Sequence, residues 1–293
     1  MFSASLPALV TPFRNGSFAE EDYRALVEWQ VTEGSAGLVP CGTTGEAATM
    51  TAEEHFEVVR VCVDQAKGRV PVLAGAGSND TAVAIENVKA AKQVGADAVL
   101  MVPPYYNRPS QDGIFRHFEA IANATDLPII LYNVPSRTVT DIQPATMARI
   151  VKAFPETFIG VKDATGQLGR VSEQRRGCGP DFLQLSGNDE TALAFNAMGG
   201  AGCVSVTANV APRLCAEFQA AWMAGDRAKA LELHDRLYPL HIAMFTDASP
   251  GPVKYALTRV RPGFPIELRL PMTEPNEASR KAVDAALEFA GLV

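Results

Sequence analysis

A chain of 293 residues, 47% hydrophobic and 20% charged, has apolar material for a full core and length for one large α/β domain with an appendage, or for two ordinary domains. A formal net charge of −7, with no dense Lys/Arg cluster, argues against a nucleic-acid-binding face. No apolar run is long enough to span a membrane, the first residues lack a basic-then-apolar leader, and five scattered cysteines without Cys-x-x-Cys suit reduced thiols in a cytoplasm.

Eight short apolar runs recur, over 6–13, 36–41, 70–76, 98–103, 128–134, 158–162, 182–186 and 202–207. Near-continuous apolar runs of this length are what strands covered on both faces look like. Between them lie amphipathic stretches at 20–33, 52–67, 81–94, 113–124 and 144–154. Several open on a capping side chain: Thr51, Asn79 or Asp80, Ser110 and Asp141. Strand and helix alternating eight times predict an α/β protein, a (β/α)8 TIM barrel over 1–224. A doubly wound sheet is the rival, but no Gly-x-Gly-x-x-Gly follows the first strand. After Asn209 the strands stop. Segments 211–224, 226–245, 252–260 and 276–289 read as helices, the last three forming a small C-terminal all-helical extension over 225–293.

The run Phe158-Ile159-Gly160-Val161-Lys162-Asp163 closes an apolar strand on a lysine. Desolvating an ammonium is costly, so such a residue needs a reason to be there. Simple alternation places Lys162 on the face of Phe158 and Gly160, with Ile159 and Val161 opposite. The other seven lysines, Lys254 among them, fall in helix-like, partly polar segments. Barrel enzymes collect their chemistry at the carboxyl ends of the strands. Those ends carry Gly42-Thr43-Thr44-Gly45-Glu46, Tyr105-Tyr106-Asn107, Tyr132 with Ser136-Arg137-Thr138, Lys162-Asp163 and Ser186-Gly187-Asn188-Asp189.

A poorly solvated amine favours its neutral form and attacks a carbonyl to give a Schiff base, with tyrosine or threonine hydroxyls as a proton shuttle. An arginine fork matches a substrate carboxylate. Each residue also has a plainer reading. Lys162 could be salt-bridged, Tyr132 a core tyrosine, Tyr105 and Tyr106 interface or rim aromatics, and Arg137 a solvated charge. Thr43 and Thr44 could cap a helix with Glu46, Asp163 and Asp189 could be turn or cap residues, and Cys41 could be a small apolar residue. The four histidines, His55, His117, His234 and His241, show no metal-binding spacing, and the last two read as packing or surface residues.

Taken jointly, Gly42-Thr43-Thr44-Gly45-Glu46, Pro104-Tyr105-Tyr106-Asn107, Tyr132-Asn133-Val134-Pro135-Ser136-Arg137-Thr138 and Gly160-Val161-Lys162-Asp163-Ala164-Thr165-Gly166 resemble the signature segments of the dihydrodipicolinate synthase/N-acetylneuraminate lyase superfamily. The resemblance runs from Phe2 to the end. It implies that Lys162 forms an imine with pyruvate and that Tyr132, Thr44 and Tyr106 relay protons, Tyr106 reaching into a neighbouring subunit's site. It further implies that Thr43 and Thr44 hold the pyruvate carboxylate and that Gly187 and the backbone of Val204 line the pocket; Val204 replaces a residue that is often isoleucine. Arg137 matches the residue that receives the carboxylate of L-aspartate 4-semialdehyde. Ser-Arg-Thr in this loop separates the condensing branch, which serves lysine and diaminopimelate biosynthesis, from the sialic-acid and sugar-acid lyases. Neither metal nor organic cofactor is expected, and a homotetramer built as a dimer of dimers is.

Many members of this group carry a lysine feedback site, which the chain matches in part, at Ala48, His55, Asn79 and Tyr105. Ala47, Ala52 and Val83 depart from it, and Val83 stands where sensitive members have a glutamate. Weak or absent lysine inhibition is the expectation. Two other readings stay open: another pyruvate-dependent aldolase or lyase, acting on N-acetylneuraminate or a 2-keto-3-deoxy sugar acid, and a non-catalytic pyruvate-binding sensor.

Overall fold

In the computed structural model, which describes residues 2–293, most of the apolar runs become short parallel strands. These are β1 Ala4–Pro7, then β4 Leu73–Gly75, β5 Ala98–Met101, β6 Ile129–Asn133, β7 Phe158–Asp163, β8 Leu183–Ser186 and β9 Gly202–Ser205. A small antiparallel hairpin, β2 Phe13–Arg14 with β3 Ser17–Phe18, follows the first. The run at 6–13 therefore divides, with Pro7 at the end of β1 and Pro12 just before the hairpin, both without an N–H to donate.

The parallel order is β1-β9-β8-β7-β6-β5-β4. Residues 38 and 39 close the ring, Leu38 bridging to Val72 and Val39 to Ala8, both in parallel sense. Val39 N donates to Pro7 O at 3.0 Å and Leu73 N to Leu38 O at 2.8 Å. The segment 36–41 thus holds the seat foreseen for a strand without forming a ladder, because the chain turns left-handed at Cys41 with φ 54°. Eight parallel seats in a closed ring make the (β/α)8 barrel.

Helices α1 Glu20–Thr32, α2 Ala52–Ala66, α3 Thr81–Gln93, α4 Gln111–Ala122, α5 Pro135–Thr138, α6 Pro144–Ala153, α7 Gly169–Cys178, α8 Ala192–Ala197 and α9 Pro212–Met223 alternate with the strands. Helices α10 Arg227–Ala243, α11 Gly251–Val260 and α12 Glu277–Ala290 follow. Three expected caps form: Thr51 accepts from Glu54 N, Asp80 from Ala82 N and Ser110 from Gly113 N. Asp141 does not cap α6, whose N-cap Gln143 makes no side-chain bond. Its carboxylate accepts from Asn133 and Arg170 instead.

Strand alternation builds two cores. Leu6, Val39, Leu73, Leu100, Ile130, Leu185 and Val204 fill the barrel with Phe2, while Val99, Ile129, Leu131 and Val161 face the helices. In β7 the alternation breaks. Ile129 pairs with Phe158, but the next residue, Ile130, pairs with Gly160, leaving Ile159 as an extra residue. Phe158 consequently joins the outer core with Val161, and Ile159 packs against the inner one. Simple alternation, which put Phe158 on the face of Lys162, is overturned by this bulge. Gly160 has its own reason. A Cβ there would lie 2.5 Å from Leu183 O, so the glycine lets β8 approach.

Candidate active site

At the carboxyl ends of the strands a cavity of about 540 Å³ opens, walled by Thr43, Thr44, Tyr132, Arg137, Lys162 and Gly187, with Glu190, Val206 and His241. Lys162 is 6% exposed, and its Nζ stands 4.0 Å from the centre of the Tyr132 ring. The two residues are register partners across β6 and β7, so each strand delivers its side chain to the same level. Among the described residues no carboxylate comes within 4.0 Å of the Lys162 amine, which removes the salt-bridged reading.

A second lysine is buried, and the sequence pattern concealed it. Lys254 on α11 is fully buried, pairs with Glu46 at 2.5 Å and donates to Glu267 O at 2.7 Å. Burial pulls its pKa down, with Glu46 opposing. A lowered lysine pKa often marks a nucleophile. Geometry decides otherwise here, because Lys254 is already engaged and does not reach the cavity wall.

The threonines sit on a loop bracketed by two left-handed residues that are not glycine, Cys41 at φ 54° and Glu46 at φ 57°. A Cβ on Gly75 would come 2.1 Å from Cys41 O, so the loop lies directly against β4. Cys41 is buried and burial pushes its thiol well up, which fits a packing residue and not a thiolate. Arg137 projects from the exposed side of α5, with no carboxylate within ion-pair distance among the described residues.

These features converge with an independent comparison. The model of the Dihydrodipicolinate synthetase family matches residues 1–290. The chain belongs to that family. It is 65% identical to the 4-hydroxy-tetrahydrodipicolinate synthase of Rhizorhabdus wittichii, covering 100% of both chains. The crystal structure of dihydrodipicolinate synthase from Aquifex aeolicus superposes with a TM-score of 0.96 at 39% identity over 99% of each chain. A monomeric dihydrodipicolinate synthase variant superposes with a TM-score of 0.95 at 37% identity, over 100% of this chain and 98% of that one.

Two residues that the family pattern places in the site stand apart from the cavity. Tyr106 is 89% exposed on left-handed backbone, φ 70°, and is not in the wall. The Val204 side chain is buried in the inner core, and Val206 lines the cavity in its stead. Asp163 points outward from the barrel, accepting from Thr165 and Gln174. Asp189 accepts from Val206 N at 2.8 Å and Thr207 N at 3.1 Å, the turn-capping role expected of it.

Sequence reading missed the wall that α10 contributes. His241 is buried with Nδ1 2.8 Å from Thr207 Oγ1, and burial lowers its pKa, with Asp189 opposing. Its spacing from His234 gave no hint that the helix folds back over the barrel mouth.

A second cavity of about 490 Å³ shares Thr43, Tyr132 and Arg137 with the first. Its wall brings Ala48, His55 and Tyr105 together with Ala47, Ala52 and Val83. Asn79 lies outside the wall, its carbonyl accepting from Asn107 Nδ2 at 2.9 Å. Among the described residues no cluster of three or more His, Cys, Asp or Glu is arranged to hold a metal ion, and no helix is long and apolar enough to cross a membrane.

Proposed function

We propose that Lys162 captures pyruvate covalently in the larger cavity and that the chain joins it to L-aspartate 4-semialdehyde. This is the activity of a 4-hydroxy-tetrahydrodipicolinate synthase, a lyase of the Schiff-base type in lysine and diaminopimelate biosynthesis. The observation that carries the reading is a buried, unpaired amine over the face of Tyr132.

The Lys162 amine adds to C2 of pyruvate, and loss of water leaves an imine. Loss of a C3 proton gives the enamine, whose C3 attacks the aldehyde carbon while the aldehyde oxygen takes up a proton. The substrate's own amine then adds to the imine carbon and expels Lys162, closing the ring and restoring the enzyme. Tyr132 and Thr44 carry protons through these steps, and Thr43 and Thr44 bind the pyruvate carboxylate. Gly187 bounds the pocket. Arg137, free of any carboxylate partner, receives the carboxylate of the semialdehyde. Each step uses only the amine, hydroxyls and guanidinium, so the scheme calls on no metal or organic cofactor.

Tyr106 completes the relay from a neighbouring subunit. Its exposure and its strained backbone support that role, since among the described residues nothing covers the ring. That contact needs a second subunit, and the assembly we propose is a homotetramer, a dimer of dimers, in the cytoplasm. The smaller cavity is the lysine site, weakened by Val83, Ala52 and Ala47.

Borohydride reduction in the presence of pyruvate, followed by peptide mapping, places the label on Lys162. A label on Lys254, or none, sinks the reading. Efficient cleavage of a sugar acid without condensation of the semialdehyde would reassign the substrate.

A further inference from the structure

The residues that immediately follow the two facing site residues point the opposite way, as strand alternation demands. Tyr132 and Lys162 face inward; Asn133 and Asp163, themselves register partners, face outward and are buried. A chain of polar contacts runs between them. Asn133 Nδ2 donates to Asp141 Oδ1 at 2.7 Å, and Asn133 Oδ1 accepts from Ile142 N at 2.9 Å. Arg170 on α7, 6% exposed, donates through Nη1 to Asp141 Oδ2 at 3.0 Å and through Nη2 to Ile142 O at 2.7 Å. Its Nε lies 3.4 Å from Asp163 Oδ2, an ion-pair contact without a hydrogen bond, while that oxygen accepts from Gln174 Nε2 at 2.6 Å.

These contacts sit just above the bulge at Ile159. Continuing the register of Ile129 with Phe158 would set Tyr132 opposite Val161; the extra residue sets it opposite Lys162. A bulge is a place where pairing can slip, and the next point at which β6 and β7 are tied from outside is the Asn133–Asp141–Arg170–Asp163 chain of contacts.

We propose that Arg170 is a positioning residue that clamps the ends of β6 and β7 from behind and so fixes the approach of the Lys162 amine to Tyr132. The planar guanidinium hydrogen-bonds two loop acceptors while holding its charge beside one strand carboxylate, which a lysine ammonium on a flexible stem does not reproduce. Arg170 touches no substrate. It acts through the register of its neighbours, and a displacement of about 1 Å at a reacting centre costs about a hundredfold in rate.

This inference rests on Lys162 being the nucleophile, which the pyruvate label on the native chain tests separately. Arg170→Lys and Arg170→Met are compared with the native chain for the single-turnover rate of borohydride-trappable imine formation, with folding checked by thermal unfolding. The clamp predicts a folded Arg170→Lys chain whose imine rate falls about a hundredfold while pyruvate KM changes little. A role confined to stability would lower the melting temperature and leave the imine rate of the folded chain untouched, and that result overturns the proposal. Should both Arg170 variants fail to fold, Asp141→Asn decides, because Asp141 is 40% exposed in its side chain and the change keeps its shape. A slowed imine step in that variant supports the clamp, and a native rate overturns it.

Discussion

Glu46 and Lys254 meet at 2.5 Å with side chains 2% and 0% exposed, joining the end of the threonine loop to a helix of the C-terminal extension. Arg269 N donates to the other Glu46 oxygen at 3.1 Å, so the loop is held from two directions. A buried pair is expensive to break from one side, because the remaining charge is stranded. Lys254→Met should cost about 3–5 kcal/mol in denaturant unfolding, and adding Glu46→Gln should recover most of it. Equal losses in the single and double variants would show that the pair is not the source.

Arg137 is the one guanidinium in the larger cavity's wall, and among the described residues no carboxylate pairs with it. Arg137→Ala should leave borohydride trapping of pyruvate intact. It should lower kcat/KM for the semialdehyde ten- to a hundredfold, from loss of charge-assisted hydrogen bonds of about 1.5–3 kcal/mol. Loss of pyruvate trapping would assign the arginine to the wrong substrate.

Val83 presents an apolar, 41% exposed side chain to the smaller cavity. The native chain should be inhibited weakly by lysine. Val83→Glu should strengthen inhibition about ten- to a hundredfold by supplying a partner for the ammonium. Inhibition curves for the two chains test this directly, and strong inhibition of the native chain at submillimolar lysine contradicts it.

His117 is 4% exposed, with Nδ1 2.9 Å from Thr81 Oγ1 and Nε2 buried without a partner. Burial holds its pKa down to about 4, with Asp80 opposing. The unfolded chain takes up this proton near 6.5, which the folded chain refuses until about 4. Its stabilising contribution is therefore complete above 6.5 and is lost as pH falls through that window, by up to about 1.4 kcal/mol per pH unit. His117→Gln should flatten the fall in unfolding free energy between pH 6.5 and 4 relative to the native chain. Parallel curves would refute the assignment.

The barrel was legible because a strand covered on both faces must be apolar along its whole length, and eight such runs survive in the sequence. Lys162 was legible for the same reason, as an amine that ends one of them. The capping of α2, α3 and α4 could also be read, since Thr51, Asp80 and Ser110 act within three residues of themselves. Other features belong to pairs of segments far apart in the chain. The bulge at Ile159 is a property of hydrogen bonding between β6 and β7, and it decided which side of β7 each residue faces. Lys254 read only as a lysine in a helix-like, partly polar segment until α11 packed against the loop ending at Glu46. His241 joined the cavity only because α10 folds back over the barrel mouth. Periodicity along one chain determined the elements and the amine, while register and burial, set by segments meeting across the fold, decided what that amine faces.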